Sequence, residues 1–200
     1  SHQNPPQAIT LFAAFRRIVS EKEVWKLACV YCMYGFSYII YLTFYVAYLV
    51  KEIGKSPSEA GSMFAIIGFI AIFAGLLWGA FSDKVGRRCA CICIYLVLAV
   101  AYALPAFFHE SFFLYLSAVM FGIAFSVPVL MAAAAGDAVG GQLAPAALGL
   151  ITLMFGIAQT IGPIIGGRIK DATGTFTYAF MLCTGFAVAG ALLSLTLKAE

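Results

Sequence analysis

Charge is what this chain lacks most. Asp, Glu, Lys and Arg make up only 10% of its 200 residues, while 63% are hydrophobic and the mean hydropathy is +0.98. So little polar surface cannot cover a water-soluble domain of this length, which leaves an integral membrane protein. Histidine is scarce as well, with only His2 and His109. No carboxylate falls in the middle of an apolar run, and no Ser/His/Asp set or carboxylate pair lies inside one, so an enzyme is not expected. No patch of interleaved basic and aromatic residues points to nucleic acid. Cysteine is present, but Cys29, Cys32, Cys89, Cys91 and Cys93 lie in or beside apolar runs, away from both histidines. They read as small buried apolar residues, and neither a metal nor another cofactor is expected. The chain begins Ser1-His2-Gln3-Asn4, with no initiating Met and no signal peptide before the first apolar run. The expectation is therefore a piece of a longer protein.

Apolar length is what the chain has in abundance. Six apolar segments run at about 24–50, 58–81, 87–108, 111–135, 144–168 and 175–197. Each is long enough to cross a hydrocarbon core of about 30 Å at about 1.5 Å per residue. In lipid only a helix satisfies its own backbone groups over such a length, so the expected fold is an all-α bundle of six transmembrane helices over residues 23–200. Residues 1–22 read as a polar linker, with Pro5 and Pro6, that ends in a short amphipathic segment: Leu11, Phe12, Phe15 and Ile18 beside Arg16 and Arg17. Basic residues are unevenly shared. Arg16, Arg17, Lys22, Lys26, Lys84, Arg87, Arg88 and Lys198 fall at one end of the expected bundle, and Lys51, Lys55, Arg168 and Lys170 at the other. That bias places both termini in the cytoplasm and the protein in the cell (inner or plasma) membrane as a multi-pass protein.

Two patterns carry most of the functional information. The first segment holds Tyr31, Tyr34, Tyr38, Tyr41, Tyr45 and Tyr48, a 3-4-3-4-3 spacing that lines the phenols along one helix face. Tyr31 and Tyr48 suit the membrane interfaces, whereas a phenol mid-membrane needs a partner or water. Tyr34, Tyr38, Tyr41 and Tyr45 therefore line a watery cavity or pack between helices. Gln159 and Thr160, with Ser37 and Thr43, are the other polar candidates for solute contact, and Pro128 is placed to kink the fourth span. The second pattern is Gly79-Ala-Phe-Ser-Asp83-Lys84-Val-Gly86-Arg87-Arg88, between two strongly apolar runs. Gly79 and Gly86 allow reversal and close approach, and Arg87 is expected to pair with Asp137 at the end of the fourth span.

That stretch resembles the G-x-x-x-D-R/K-x-G-R-R/K signature of the major facilitator superfamily, the short cytoplasmic loop between the second and third helices of a six-helix half. The fifth span, with Gly149, Ala158, Gly162, Pro163, Gly166 and Gly167, resembles the family's G-x8-G-x3-G-P-x2-G-G motif, Ala158 replacing one glycine. That motif marks proton antiporters in the fifth helix of the first half, while glycine-rich versions in the eleventh helix mainly serve packing. The resemblance covers about 24–197 and implies one half of such a bundle, built of two three-helix repeats. The polar stretch before the first span and the run from Gly162 to Gly174 are similar to the C-terminal half, in bacterial uncharacterised or monocarboxylate-like branches. Implied for the motif residues Gly79, Asp83, Lys84, Gly86, Arg87, Arg88 and Asp137 is a gating contact with the other half. The implied function is secondary active transport of a small organic solute by rocker-switch alternating access. The partners are then the solute, the lipid bilayer and either an N-terminal six-helix half or a second copy in a homodimer. A non-transporting receptor or assembly module is the other class left open.

Overall fold

The computed structural model describes residues 11–198, so the proline-bearing part of the linker expected over residues 1–22 lies outside them. Eight helices follow in order: α1 Leu11–Ser20, α2 Lys22–Lys51, α3 Pro57–Val85, α4 Arg87–Phe107, α5 Ser111–Ile123, α6 Val127–Val139, α7 Ala144–Thr173 and α8 Thr177–Ser194. No strand occurs among the described residues. With α5 and α6 continuing one another, six segments are long and apolar enough to cross a membrane. The fold is thus an all-α membrane bundle.

Local chemistry explains the ends. Ser56 caps α3, its Oγ accepting from the Glu59 amide at 3.1 Å, with Pro57 preset for the first turn. The expected loop at 82–86 is shorter than the sequence implies. Asp83 and Lys84 belong to the last turn of α3, and reversal takes a single residue, Gly86, at φ +85°. A side chain is strained at that angle, so glycine is the residue for it. Gly79, read as part of the turn, lies inside α3 and has open space where a Cβ would go. The fourth span, expected as one kinked helix, breaks at Ala124–Ser126, because Pro128 has no amide for the Ala124 carbonyl. The indole of Trp78, on α3, donates to the Ile123 carbonyl at 2.7 Å and satisfies one group at the break.

The packing repeats itself. α2 lies against α7 and α8, and the α5–α6 span lies against α3 and α4 in the same way, while α4 and α8 pack together. Exchanging α2, α3 and α4 for α5–α6, α7 and α8 leaves this pattern unchanged, the mark of two three-helix repeats. Close α2–α7 contact depends on glycine. A Cβ at Gly35 would meet the Phe155 oxygen at 2.7 Å, one at Gly162 would meet Ile39 Cγ2 at 2.8 Å, and one at Gly166 would meet the Phe44 ring at 2.7 Å. Gly167 only touches that ring, at 3.9 Å, and Pro163 leaves α7 unbroken. Gly149 meets nothing within 4 Å among the described residues: 13 residues before Gly162, it falls on another side of the helix. The outer sides of α3 (Phe69, Ile72, Phe73, Leu76, Leu77) and α7 (Leu153, Ile157, Ile164) stay uncovered. Such surfaces need lipid or further protein.

Candidate functional site at the middle of the bundle

The tyrosine stripe of α2 is two sets of side chains. Tyr41, Tyr45 and Tyr48 are buried and bonded within the bundle. The Ser117 hydroxyl donates to the Ala101 carbonyl at 2.7 Å, so the Tyr41 hydroxyl is the donor in its 2.7 Å bond to Ser117 Oγ. Tyr45 donates to the Leu114 carbonyl at 2.6 Å, and Tyr48 to the Pro105 carbonyl. These phenols staple α2 to α4 and α5, which answers the cost of a hydroxyl in apolar surroundings. Of the two readings open for Tyr41 and Tyr45, packing describes their surroundings and an open cavity does not.

Tyr31, Tyr34 and Tyr38 face α7 instead. Phe155 stacks on Tyr31 with ring centroids 4.2 Å apart and lies 5.6 Å from Tyr38. Tyr34 and Tyr38 stack on each other at 4.7 Å. The Tyr34 hydroxyl is buried without a hydrogen-bond partner, and so is Ser126 Oγ at the break in the fourth span. Phe125, beside Ser126, meets the Tyr38 ring edge-on at 6.1 Å. Near the midpoints of three spans, a flat aromatic wall therefore adjoins a broken helix, with two unanswered polar groups. Native interiors rarely leave such groups unpaired. Gln159 is half-buried on α7, four residues beyond Phe155, whereas Thr160 is exposed and bonds back to the Gly156 carbonyl at 2.9 Å. Thr160 lies with Gly149 and Gly156 along a shallow open groove, apart from the aromatic wall.

At the basic end, the expected ion pair is present: Arg87 Nε lies 3.0 Å from Asp137 Oδ2. The same guanidinium bonds Asp83 at 2.6 Å and Ser82 Oγ, joining the ends of α3, α4 and α6. Lys84 and Arg88 form no ion pair among the described residues. At the other end, Glu52 accepts from Lys170 Nζ, Thr175 Oγ1 at 2.8 Å and the Phe176 amide at 3.0 Å. Burial would raise its pKa, but these hydrogen bonds and the Lys170 charge outweigh burial and hold it below the usual carboxylate range.

Phe155, Trp78, Ser126 and Glu52 escaped the sequence reading. A serine just before a mid-span proline was a signal for Ser126, and an acid closing one span with Lys170 closing another was a signal for Glu52. Nothing distinguished Phe155 or Trp78 from other aromatic residues in apolar runs.

Six helices long and apolar enough to cross a membrane, packed as two equivalent triplets with one span broken near its middle, make a membrane bundle built of repeats. The chain belongs to the family described as "Uncharacterised MFS-type transporter YbfB", which matches residues 4–195. It is 30% identical to a putative tartrate transporter of Agrobacterium vitis over 90% of this chain and 42% of that protein. To the hexuronate transporter of Bacillus subtilis it is 29% identical, over 87% of the chain and 44% of the relative. It spans less than half the length of these relatives. The crystal structure of FucP, a major facilitator superfamily transporter in the outward conformation, superposes with a TM-score of 0.79 over all of this chain and 48% of FucP. At 14% identity that likeness is one of fold.

Proposed function

We propose that this chain is the C-terminal six-helix half of a secondary carrier that moves a small hydroxylated organic acid by rocker-switch alternating access. In this reading the protein lies in the cell membrane with both ends of the chain in the cytoplasm, where the Gly86 turn and most of the basic residues fall. The carrying observation is the Tyr34–Tyr38–Phe155 wall beside the break at Ala124–Ser126, with the Tyr34 and Ser126 hydroxyls unbonded. A solute with several hydroxyls can answer both, and its C–H faces can lie on the aromatic plane. Tartrate and hexuronate, named for two of the relatives, are solutes of that kind. The midsections of α2–α8 hold no charged side chain, so this half reads hydroxyls and the solute's carboxylate is met from the other half.

Uptake by the intact carrier tests the proposal. Tyr34→Phe removes a buried hydroxyl that has no hydrogen-bond partner among the described residues and leaves the ring in place. The expected result is a KM for a hydroxy acid raised about tenfold, the worth of one hydrogen bond of roughly 1.4 kcal/mol, with the melting temperature unchanged. Unaltered uptake in both Tyr34→Phe and Ser126→Ala would remove the site from consideration.

A further inference from the structure

The short helix before the first span carries chemistry that transport does not use. α1 turns into α2 at Glu21, and the Trp25 indole donates to the Val19 carbonyl at 2.9 Å, fixing the bend. α1 rests on both α2 and α7, with Ile18 turned inward at 2% exposure. Phe15 and Val19, four residues apart, share its next face, and with Trp25 they stay open at 60%, 36% and 40% exposure. Arg16, three residues before Val19, borders this patch, and Arg17 and Lys22 are exposed nearby. None of the three cations forms an ion pair among the described residues. Among the described neighbouring charges, Lys26 and Glu23 neutralise each other at 3.0 Å, and Glu21 forms no ion pair.

From this placement we infer that α1 and the first turn of α2 form a binding site for anionic phospholipid. The exposed aromatic and aliphatic side chains take the upper acyl chains, and Arg16, Arg17 and Lys22 take the headgroup phosphate. A free phosphate has no use for three exposed apolar side chains. A lipid does, and α2 enters the bilayer from this very corner. Bound there, the lipid holds a helix seated on the two elements that supply Tyr31 and Phe155 to the aromatic wall. The inference needs the membrane-crossing bundle but not the proposed solute, so either can fail alone.

Tryptophan quenching by brominated lipids tests it. Trp25 is read by difference, since the quenching lost on Trp25→Phe is its own whatever other tryptophans the protein carries. The protein is reconstituted in phosphatidylcholine vesicles holding brominated phosphatidylglycerol or, at equal mole fraction, brominated phosphatidylcholine. The expected result is a preference of roughly fivefold for the anionic lipid at low salt, about what one interfacial cation supplies. It should shrink as salt rises and vanish in Arg16→Gln/Arg17→Gln/Lys22→Gln at unchanged melting temperature. Equal quenching by both lipids, or a preference that survives the triple substitution, overturns the inference. So does the absence of quenching by either, since protein then covers Trp25.

Discussion

At Tyr45 a single hydroxyl separates structural from functional use of one residue type. It donates to a carbonyl of α5 from a fully buried position, so Tyr45→Phe should lower stability by about 1 kcal/mol, read as an earlier thermal transition in detergent. Tyr34→Phe, which removes an unbonded hydroxyl, should leave that transition where it is. Glu52 makes a prediction about pH. Its folded-state pKa lies below its ordinary value of 4.5, so its contribution is complete above that value and lost as pH falls through the lower, folded-state pKa. Melting temperature should therefore drop on acidification below about pH 4.5, and Glu52→Gln should flatten that limb while lowering the value at neutral pH. Such distinctions were hidden in the sequence. A 3-4 spacing puts six phenols on one face but cannot say which carbonyl or ring each will meet. The Arg87–Asp137 pair was legible because a cation at a membrane surface has few carboxylates within reach, and Asp137 closes the span beside it.

For whole elements, hydropathy gave the six spans to within a few residues at most ends, since lipid imposes length and composition together. It could not show that α3 runs on to Val85, because Asp83 and Lys84 are as polar in a helix's last turn as in a loop. Nor could the glycine spacing of the fifth span separate glycines in contact from glycines in the open. Gly162→Ala pushes a methyl group into Ile39 and the Phe36 carbonyl, 3.1 Å from where its Cβ would sit. That should cost about 1–3 kcal/mol and loosen α7 from α2. Gly149→Ala, with nothing within 4 Å, should leave the melting transition unchanged or raise it slightly through helix propensity. Finding both variants equally unstable would contradict the α2–α7 packing described here.

For the molecule as a whole, the fold was readable from the motif at Gly86 and the six spans, but the proposed solute site was not, because its groups come from separate helices. The Arg87 cluster acts at this scale. Its carboxylates are largely open to solvent, with side-chain exposures of 65% for Asp83 and 47% for Asp137, so solvent screens the pairs. Asp137→Asn should then change stability by no more than about 1 kcal/mol. If the cluster sets the balance between inward- and outward-open forms, uptake by the intact carrier should nevertheless fall severalfold, and normal uptake in that variant would assign the cluster to topology alone.

The partners of the α2 phenols also bear on how the chain is made. Tyr48, Tyr45 and Tyr41 bond to groups 57, 69 and 76 residues downstream, and a ribosome produces α2 long before it produces those. The newborn first span thus enters the insertion machinery with three thirsty hydroxyls, and has reason to linger beside the translocon's wet interior until α4 and α5 emerge to claim it.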